Sequence, residues 1–254
     1  MSEVTIVIPN HNCYDRLKEC IENIEKNTQD VDYQVFIMDS SDTDKERLKE
    51  LYDKLGTKYT VYYLSKNLHF AQKCNLAVDS AKDKYICFLN NDTIPQPKWL
   101  SEMLKCEKRH EDAKIVGARM YFPGTTMIQH IGGILRLDYV PTHLFYRRDA
   151  NEPGVKSSIE TERSCITITA ACMLVGTDFY KELGGFNEKF VNGTEDVDFC
   201  FRAKLKGAKS YYCPTAFLYH HEHGSGQIPQ KIDEQNWKLY EEKWGKRIMQ
   251  INVV

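Results

Sequence analysis

The segment Leu89-Asn90-Asn91-Asp92 closes an apolar run, Tyr85-Ile86-Cys87-Phe88-Leu89, with the length and composition of a buried parallel strand. Asp92 then emerges at the carboxyl end of that strand, where open α/β sheets bind ligands. A carboxylate there suits a hard cation bridging protein and diphosphate. An Asn-Asp turn leading into Thr93-Ile94-Pro95 accounts for the same tetrapeptide equally well. A second acidic pair, Glu195-Asp196, stands between the turn Asn192-Gly193 and a helical run, Val197-Asp198-Phe199-Cys200-Phe201-Arg202. The helix dipole alone favours acidic residues in a first turn. A helix start after a glycine turn also holds a carboxylate as a general base requires, and Asp196 is the better candidate of the two. Asp198 and Arg202, at i and i+4, read as a helix ion pair.

Tyr219-His220-His221-Glu222-His223 concentrates three of the eight histidines, directly after a strand-like run. Alternation sends His220 and His221 to opposite faces. Cys or His partners at zinc-ligand spacing are missing elsewhere, so one histidine joining Asp92 on a divalent cation is the stronger reading, set against a solvated polar loop. The histidines at 69, 110, 130 and 143 support no catalytic role individually, whereas His11, beside Pro9 at the crevice, carries more weight.

These groups need a scaffold, and the first hundred residues supply one by alternating strand and helix patterns. Val4 to Ile8 reads as a strand broken at Pro9, followed by Leu17, Cys20, Ile21 and Ile24 at helical spacing, with Asn12 as the predicted N-cap. Tyr33 to Met38 and Thr60 to Leu64 read as the next strands, separated by a charged helix through Leu48, Leu51 and Leu55. A helix from about Phe70 to Ala81 precedes the strand before Asp92. This βαβαβαβ order predicts a parallel doubly wound sheet in the order 3-2-1-4, which puts Pro9, Asp39 and Asp92 on one rim. After Pro97 a helix carries Trp99, Leu100, Met103 and Leu104. The alternation then stops, and residues 115 to 175 read as strands with long connections. A helix from Thr177 ends at Gly184-Gly185, Thr194 is the predicted cap of another running to Lys206, and residues 230 to 247 form a last helix.

With 254 residues, 42% of them hydrophobic, the chain can bury a full core. A net charge of -2 gives no basic field for nucleic acid. Nine scattered cysteines without a Cys-x-x-Cys pair point to reduced thiols and a cytoplasmic protein. The start, Met1-Ser2-Glu3, reads as no signal peptide, and the longest apolar run, Ile166 to Val175, is broken by threonines, so no membrane span is expected. In the final helix Trp237, Tyr240 and Trp244 among Lys238, Lys243, Lys246 and Arg247 read first as a packed aromatic stripe, and second as a peripheral contact with the inner face of a membrane.

Val4-Thr5-Ile6-Val7-Ile8-Pro9-Asn10-His11-Asn12 resembles the opening Pro-x-Tyr-Asn segment of family 2 glycosyltransferases of the GT-A fold, with His11 at the tyrosine position. Asp39-Ser40-Ser41-Asp42-Thr43-Asp44 resembles the family's loop against the nucleobase. Asn67-Leu68-His69-Phe70-Ala71 with Asn75 resembles its Asn-x-Gly-Phe-Ala segment, and Asn90-Asn91-Asp92 its Asp-x-Asp metal motif. Ile128 to Gly132, Thr169 to Cys172, Gly184 to Glu188, Glu195 to Asp198 and His220-His221-Glu222 resemble, in that order, segments of bacterial surface-polysaccharide and rhamnosyltransferase-like members.

The resemblance implies a Rossmann-like, mostly parallel sheet flanked by helices, with a smaller mixed acceptor-side portion. It makes residues 1-254 a single domain, with about 1-97 binding the nucleotide sugar and about 98-254 the acceptor and catalytic half. It implies metal-dependent, inverting transfer of a hexosyl or deoxyhexosyl group from a UDP or dTDP sugar to a saccharide, lipid-linked or protein-linked glycan. Asp92 and His220 would hold Mn2+ or Mg2+, and Asp196, with Glu195, would be catalytic. Pro9, His11, Asn12, Asp39, Asn67, Phe70, Asn75, Asn90 and Asn91 would line the donor pocket. Gly184 to Glu188 and His223 to Gln227 are predicted to close over it.

Three departures stand out: Asn90 replaces the first metal-motif aspartate, His69 replaces a glycine, and Gln72-Lys73 replace small residues. Two other functions remain open. A catalytically weak carbohydrate-binding module would fit Asn90. A sugar-nucleotide pyrophosphorylase would want a Gly-rich phosphate loop where Pro9-Asn10-His11-Asn12 stands.

Overall fold

Buried strands of this composition pair into one long sheet, as seen in a computed structural model that describes residues 2–222 and 228–252. The first half runs β1 (Val4–Asn10), α1 (Tyr14–Asn27), β2 (Tyr33–Asp39), α2 (Lys45–Tyr52), β3 (Tyr59–Tyr63), α3 (Phe70–Ser80), β4 (Tyr85–Leu89) and the short β5 (Thr93–Pro95). It continues through α4 (Trp99–Arg109), β6 (Ala113–Tyr121), β7 (Ile128–His130), β8 (Gly133–Leu135), β9 (Pro141–His143), α5 (Lys156–Glu160) and β10 (Arg163–Cys165). β11 (Cys172–Gly176), α6 (Thr177–Glu182), α7 (Glu195–Leu205), β12 (Lys209–His220), α8 (Gln230–Trp244) and α9 (Ile248–Asn252) complete it.

The sheet order is β10-β12-β6-β11-β4-β1-β2-β3, with β5 added to β12 and β7 to β6. β1 to β4 are mutually parallel in the predicted 3-2-1-4 order. β11 joins β4 antiparallel and carries the sheet into the second half. Strands from both halves of the chain thus share one hydrogen-bonded layer, while β8 and β9 form a separate hairpin.

Side-chain alternation on β1 divides the core. Ile6 and Ile8 pack with Leu17, Ile24 and Trp99 beneath α1 and α4, whereas Val7 joins Phe88, Phe186 and Phe199 on the other face. A third cluster, Phe190, Phe201, Tyr240, Trp244, Ile248 and Ile251, fastens α8 and α9 to α7. The aromatic stripe of the last helix is therefore packed at Tyr240 and Trp244, as its first reading expects, but not at Trp237. Among the described residues no helix is long and apolar enough to cross a membrane.

One predicted cap is corrected and the other qualified. Cys13, not Asn12, occupies the N-cap of α1, and Asn12 lies at φ 49. Its side-chain oxygen accepts from the backbone N–H of Asp42 and Thr43, both at 2.9 Å, so it ties two loops together instead of serving the helix. Thr194 does stand at the N-cap of α7, but at φ 74 and without a side-chain cap bond, because the turn before it runs left-handed.

Candidate active site

Sheet register brings Asp92 to His220. β5 pairs antiparallel with β12 so that Thr93 faces His220, and the His221 N–H donates to the Asp92 carbonyl at 3.0 Å. Nε2 of His220 then lies 3.0 Å from Oδ1 of Asp92, both side chains nearly buried. On the far side of the ring, Nδ1 of His220 stands 2.7 Å from Oε1 of Gln129, whose amide nitrogen donates to the His220 carbonyl at 3.3 Å. With Nδ1–H donating to Gln129, the ring turns the Nε2 lone pair toward the Asp92 carboxylate. Two acceptor atoms this close want a proton or a cation between them, and a carbonyl oxygen behind the imidazole is the usual support for a metal-binding histidine. The donor set therefore fits a divalent ion with two protein ligands and coordination positions left for other oxygens. His221 points the other way, to Arg16 at 2.8 Å and Glu19 at 3.1 Å, as strand alternation requires.

Asp92 and His220 open onto a cleft of about 670 Å³ that Glu195 and Asp196 also line, together with Pro9, His11, Asn67, Phe70, Asn90 and Asn91. A cavity of about 370 Å³ near Gly132, Leu144 and Ile166 has no carboxylate in its wall and offers no comparable chemistry. Asp196 is half-buried at the first turn of α7. Its Oδ2 accepts from Ala170 N–H at 3.0 Å and its Oδ1 from Val197 N–H at 2.7 Å. Glu195 is buried and accepts from Gly193 N–H at 2.6 Å; burial, and then the charge of Asp196, push its carboxyl up to about 8. Burial and the neighbouring carboxylate thus favour the protonated form of Glu195, and Asp196 is the more exposed of the two carboxyls on the cleft.

The loop before α7 is braced from α8. Asn236 donates to the Val191 carbonyl and accepts from the Val191 N–H, both at 3.0 Å, while Asn192 accepts from Phe70 N–H at 2.9 Å. Asn192 and Thr194 both have positive φ around Gly193, a backbone that persists only when such contacts hold it.

Three donor-pocket expectations are revised. Asp39 does not line the cleft: it is buried behind Asn10, and its Oδ1 accepts from the Asn10 amide at 3.0 Å and from Ser41 N–H and Oγ–H at 3.1 and 2.5 Å. Asn12 is spent on the Asp42 loop. Asn75 is fully engaged with the opposite segment, donating to the Phe186 carbonyl and Glu188 and accepting from Phe186 N–H and Tyr180 O–H. These bonds, with Arg202 donating to the carbonyls of Leu183 and Gly185 at 2.6 Å, hold Gly184 to Glu188 against α3 and α7, and the segment does not line the cleft. The other predicted closing segment, His223 to Gln227, lies outside the described residues.

Several cleft residues escape sequence reasoning. Asn10 joins the two rims: its carbonyl accepts from Lys73 Nζ at 2.8 Å and its Oδ1 from the Asn91 amide at 2.6 Å. Lys73 is buried, and desolvation pulls its ammonium down to about 8. His143 reaches the cleft from β9 with its Nδ1 2.6 Å from Nδ1 of His130, and burial lowers both rings. The resemblance of the segment Pro9 to Asn12 signalled Asn10 and the replacement of a small residue signalled Lys73, whereas nothing signalled His143.

The family model described as glycosyl transferase family 2 matches residues 5–161. The chain belongs to that family. It is 24% identical over 240 residues to the O-antigen biosynthesis protein RfbC of Myxococcus xanthus, covering 94% of this chain and 19% of that protein. To the rhamnosyltransferase WbbL of Escherichia coli K12 it is 24% identical over 234 residues, covering 87% of this chain and 84% of that protein. The chain spans between 19% and 25% of the length of the first curated relatives it matches. The structure of GalNAc-T7 with UDP, GalNAc and Mn2+ superposes with a TM-score of 0.71 at 14% identity, over 90% of this chain and 45% of that one. The fold is thus the expected GT-A arrangement.

Proposed function

We propose that this chain is an inverting, metal-dependent glycosyltransferase that moves a sugar from a nucleoside diphosphate donor to a glycan acceptor. The observation that carries this reading is that the Asp92–His220 pair and the half-buried Asp196 open onto one cleft. Family membership and the UDP and Mn2+ named for the GalNAc-T7 structure support it, as does the surface-polysaccharide role named for RfbC.

In this reading Asp92 and His220 would hold Mn2+ or Mg2+, and that ion would offset the negative charge that develops on the departing diphosphate. Pro9, His11, Asn67 and Phe70 would form the wall beside the nucleotide, and Asn90 and Asn91 line the cleft next to Asp92. Lys73, inside the same wall, adds a cation near the phosphates. Asp196 accepts the proton of the acceptor hydroxyl as its oxygen bonds to the anomeric carbon, and the bond to diphosphate breaks on the opposite face. Inversion follows from that single displacement. Glu195, uncharged at neutral pH, supports the chain turn that aims Asp196. UDP and dTDP sugars are the favoured donors. A cytoplasmic location, as one domain, agrees with buried thiols such as Cys20, Cys74 and Cys200.

Release of nucleoside diphosphate from UDP, dTDP and GDP sugars, with and without Mn2+, tests this function. Metal-dependent release that Asp196→Asn abolishes is the expected result; nucleotide binding with no release on any donor and acceptor would leave a carbohydrate-binding module instead.

A further inference from the structure

Of the three tryptophans, Trp99 and Trp244 are fully buried, whereas Trp237 on α8 is 38% exposed and lines the same cleft as Asp196. One turn earlier Asp233 lines it too, as does Pro229 at the N-cap of the helix. An indole left open to solvent inside a polar cleft costs hydration free energy unless something apolar covers it. Its setting is rigid. The Trp237 ring meets that of Tyr240 edge to face at 5.2 Å, and Tyr240 is buried with its hydroxyl donating to the Tyr139 carbonyl at 2.9 Å.

The same helix is bonded to the loop that leads to the proton acceptor. Asn236, the neighbour of Trp237, holds Val191 by two hydrogen bonds of 3.0 Å, and that loop leads into Glu195 and Asp196. Further along, Trp244 Nε1–H and Lys243 both reach the buried Asp198 of α7, at 2.9 and 2.6 Å. Hydrogen bonds from α8 thus tie the helix that carries Trp237 and Asp233 to the loop and helix that carry Asp196. The wall formed by Pro9, His11 and Asn67 comes instead from β1 and the segment before α3.

We propose that Trp237 and Asp233 form a saccharide shelf, on which the ring of the acceptor that bears the attacking hydroxyl rests. A pyranose has an apolar C–H face that covers an indole and equatorial hydroxyls that donate to a carboxylate at its edge, which matches an exposed tryptophan with an aspartate one turn away. A lipid or peptide portion of the acceptor would have no such requirement. The shelf rests on the function proposed above, since it defines that function's acceptor side.

Trp99 and Trp244 are buried away from added glycoside, and the Trp237→Phe variant assigns any change in intrinsic fluorescence to Trp237. Titration of the full chain with the methyl glycosides of glucose, galactose, N-acetylglucosamine and rhamnose should shift its emission for at least one sugar, and the shift should vanish in Trp237→Phe. Asp233→Asn should weaken that binding about tenfold while leaving the melting temperature unchanged. No response to any glycoside, a response that survives Trp237→Phe, or an equal response to UDP, dTDP or GDP with Mn2+ would overturn the shelf. Nucleotide binding measured by calorimetry on the same samples separates the two ideas. Failure there with a persisting glycoside shift would remove the proposed transfer reaction and leave the sugar shelf.

Discussion

Nε2 of His220 sits 3.0 Å from Oδ1 of Asp92, and the contact exists because Thr93 and His220 are paired across β5 and β12. Strand pairing, not loop flexibility, therefore fixes the spacing of the two groups on which cation binding would depend, and Gln129 fixes the ring.

Removal of either group should uncouple nucleotide from metal. UDP or dTDP with Mn2+ is expected to raise the melting temperature of the wild-type chain. Asp92→Ala and His220→Ala should each lose most of that rise, as should EDTA, because stabilisation scales with the logarithm of ligand over dissociation constant. Thermal shift with and without Mn2+ checks this. An undiminished rise in both variants would assign the metal elsewhere.

Glu195 gives a pH signature. Its carboxyl titrates near 8 when folded and near 4.5 when unfolded, so between those values the native state holds the extra proton. Stability should fall as pH rises through that window, by roughly 4 kcal/mol at most, and Glu195→Gln should flatten the curve. Urea unfolding from pH 5 to pH 8 is the measurement; identical profiles for both proteins would contradict the buried neutral carboxyl.

Asp198 is fully buried and receives Arg202 at 2.8 Å, Trp244 Nε1–H at 2.9 Å and Lys243 at 2.6 Å. Asp198→Ala leaves those donors facing an apolar gap, and a loss of about 3–5 kcal/mol is expected, with α8 detaching from α7. Chemical denaturation gives the loss, and Trp244 emission shifting red before global unfolding would report the detachment.

Gly185 has φ 69, and a Cβ there would approach Asn75 Oδ1 to 2.5 Å. Gly185→Ala should therefore cost about 1–3 kcal/mol and disturb the four bonds made by Asn75. Asn75→Ala should be similarly costly while changing nucleotide affinity little, since Asn75 braces the Gly184 to Glu188 segment and lies outside the cleft. A large loss of nucleotide affinity with stability intact would reverse that assignment.

The strand order of the first half was legible because β1, β2 and β4 are fully or nearly fully buried runs separated by amphipathic helices, a pattern with few alternative topologies. That Asp92, His220 and Asp196 share one cleft was legible because each lies at or just past a strand end or opens a helix, where side chains face a crevice. Asn12 misled because the left-handed backbone there leaves no trace in residue type, and a side chain that can cap a helix can equally bind another loop; Thr194 holds its predicted N-cap position without a side-chain cap bond. Asn75 and Asp39 are polar residues on an expected rim whose partners, Phe186 and Asn10, come from contacts that spacing does not encode. His143 and Trp237 enter the cleft through a separate hairpin and one face of a late helix, and periodicity alone cannot say which helix residue is left uncovered.

The most direct test is nucleoside diphosphate release by Asp196→Asn in the presence of Mn2+, a nucleotide sugar and a saccharide acceptor. The carboxamide keeps the shape of the side chain and removes the proton acceptor, so release should fall by at least about a hundredfold with nucleotide affinity preserved. Release at the wild-type rate would contradict the assignment of Asp196 and with it the displacement on which the account depends.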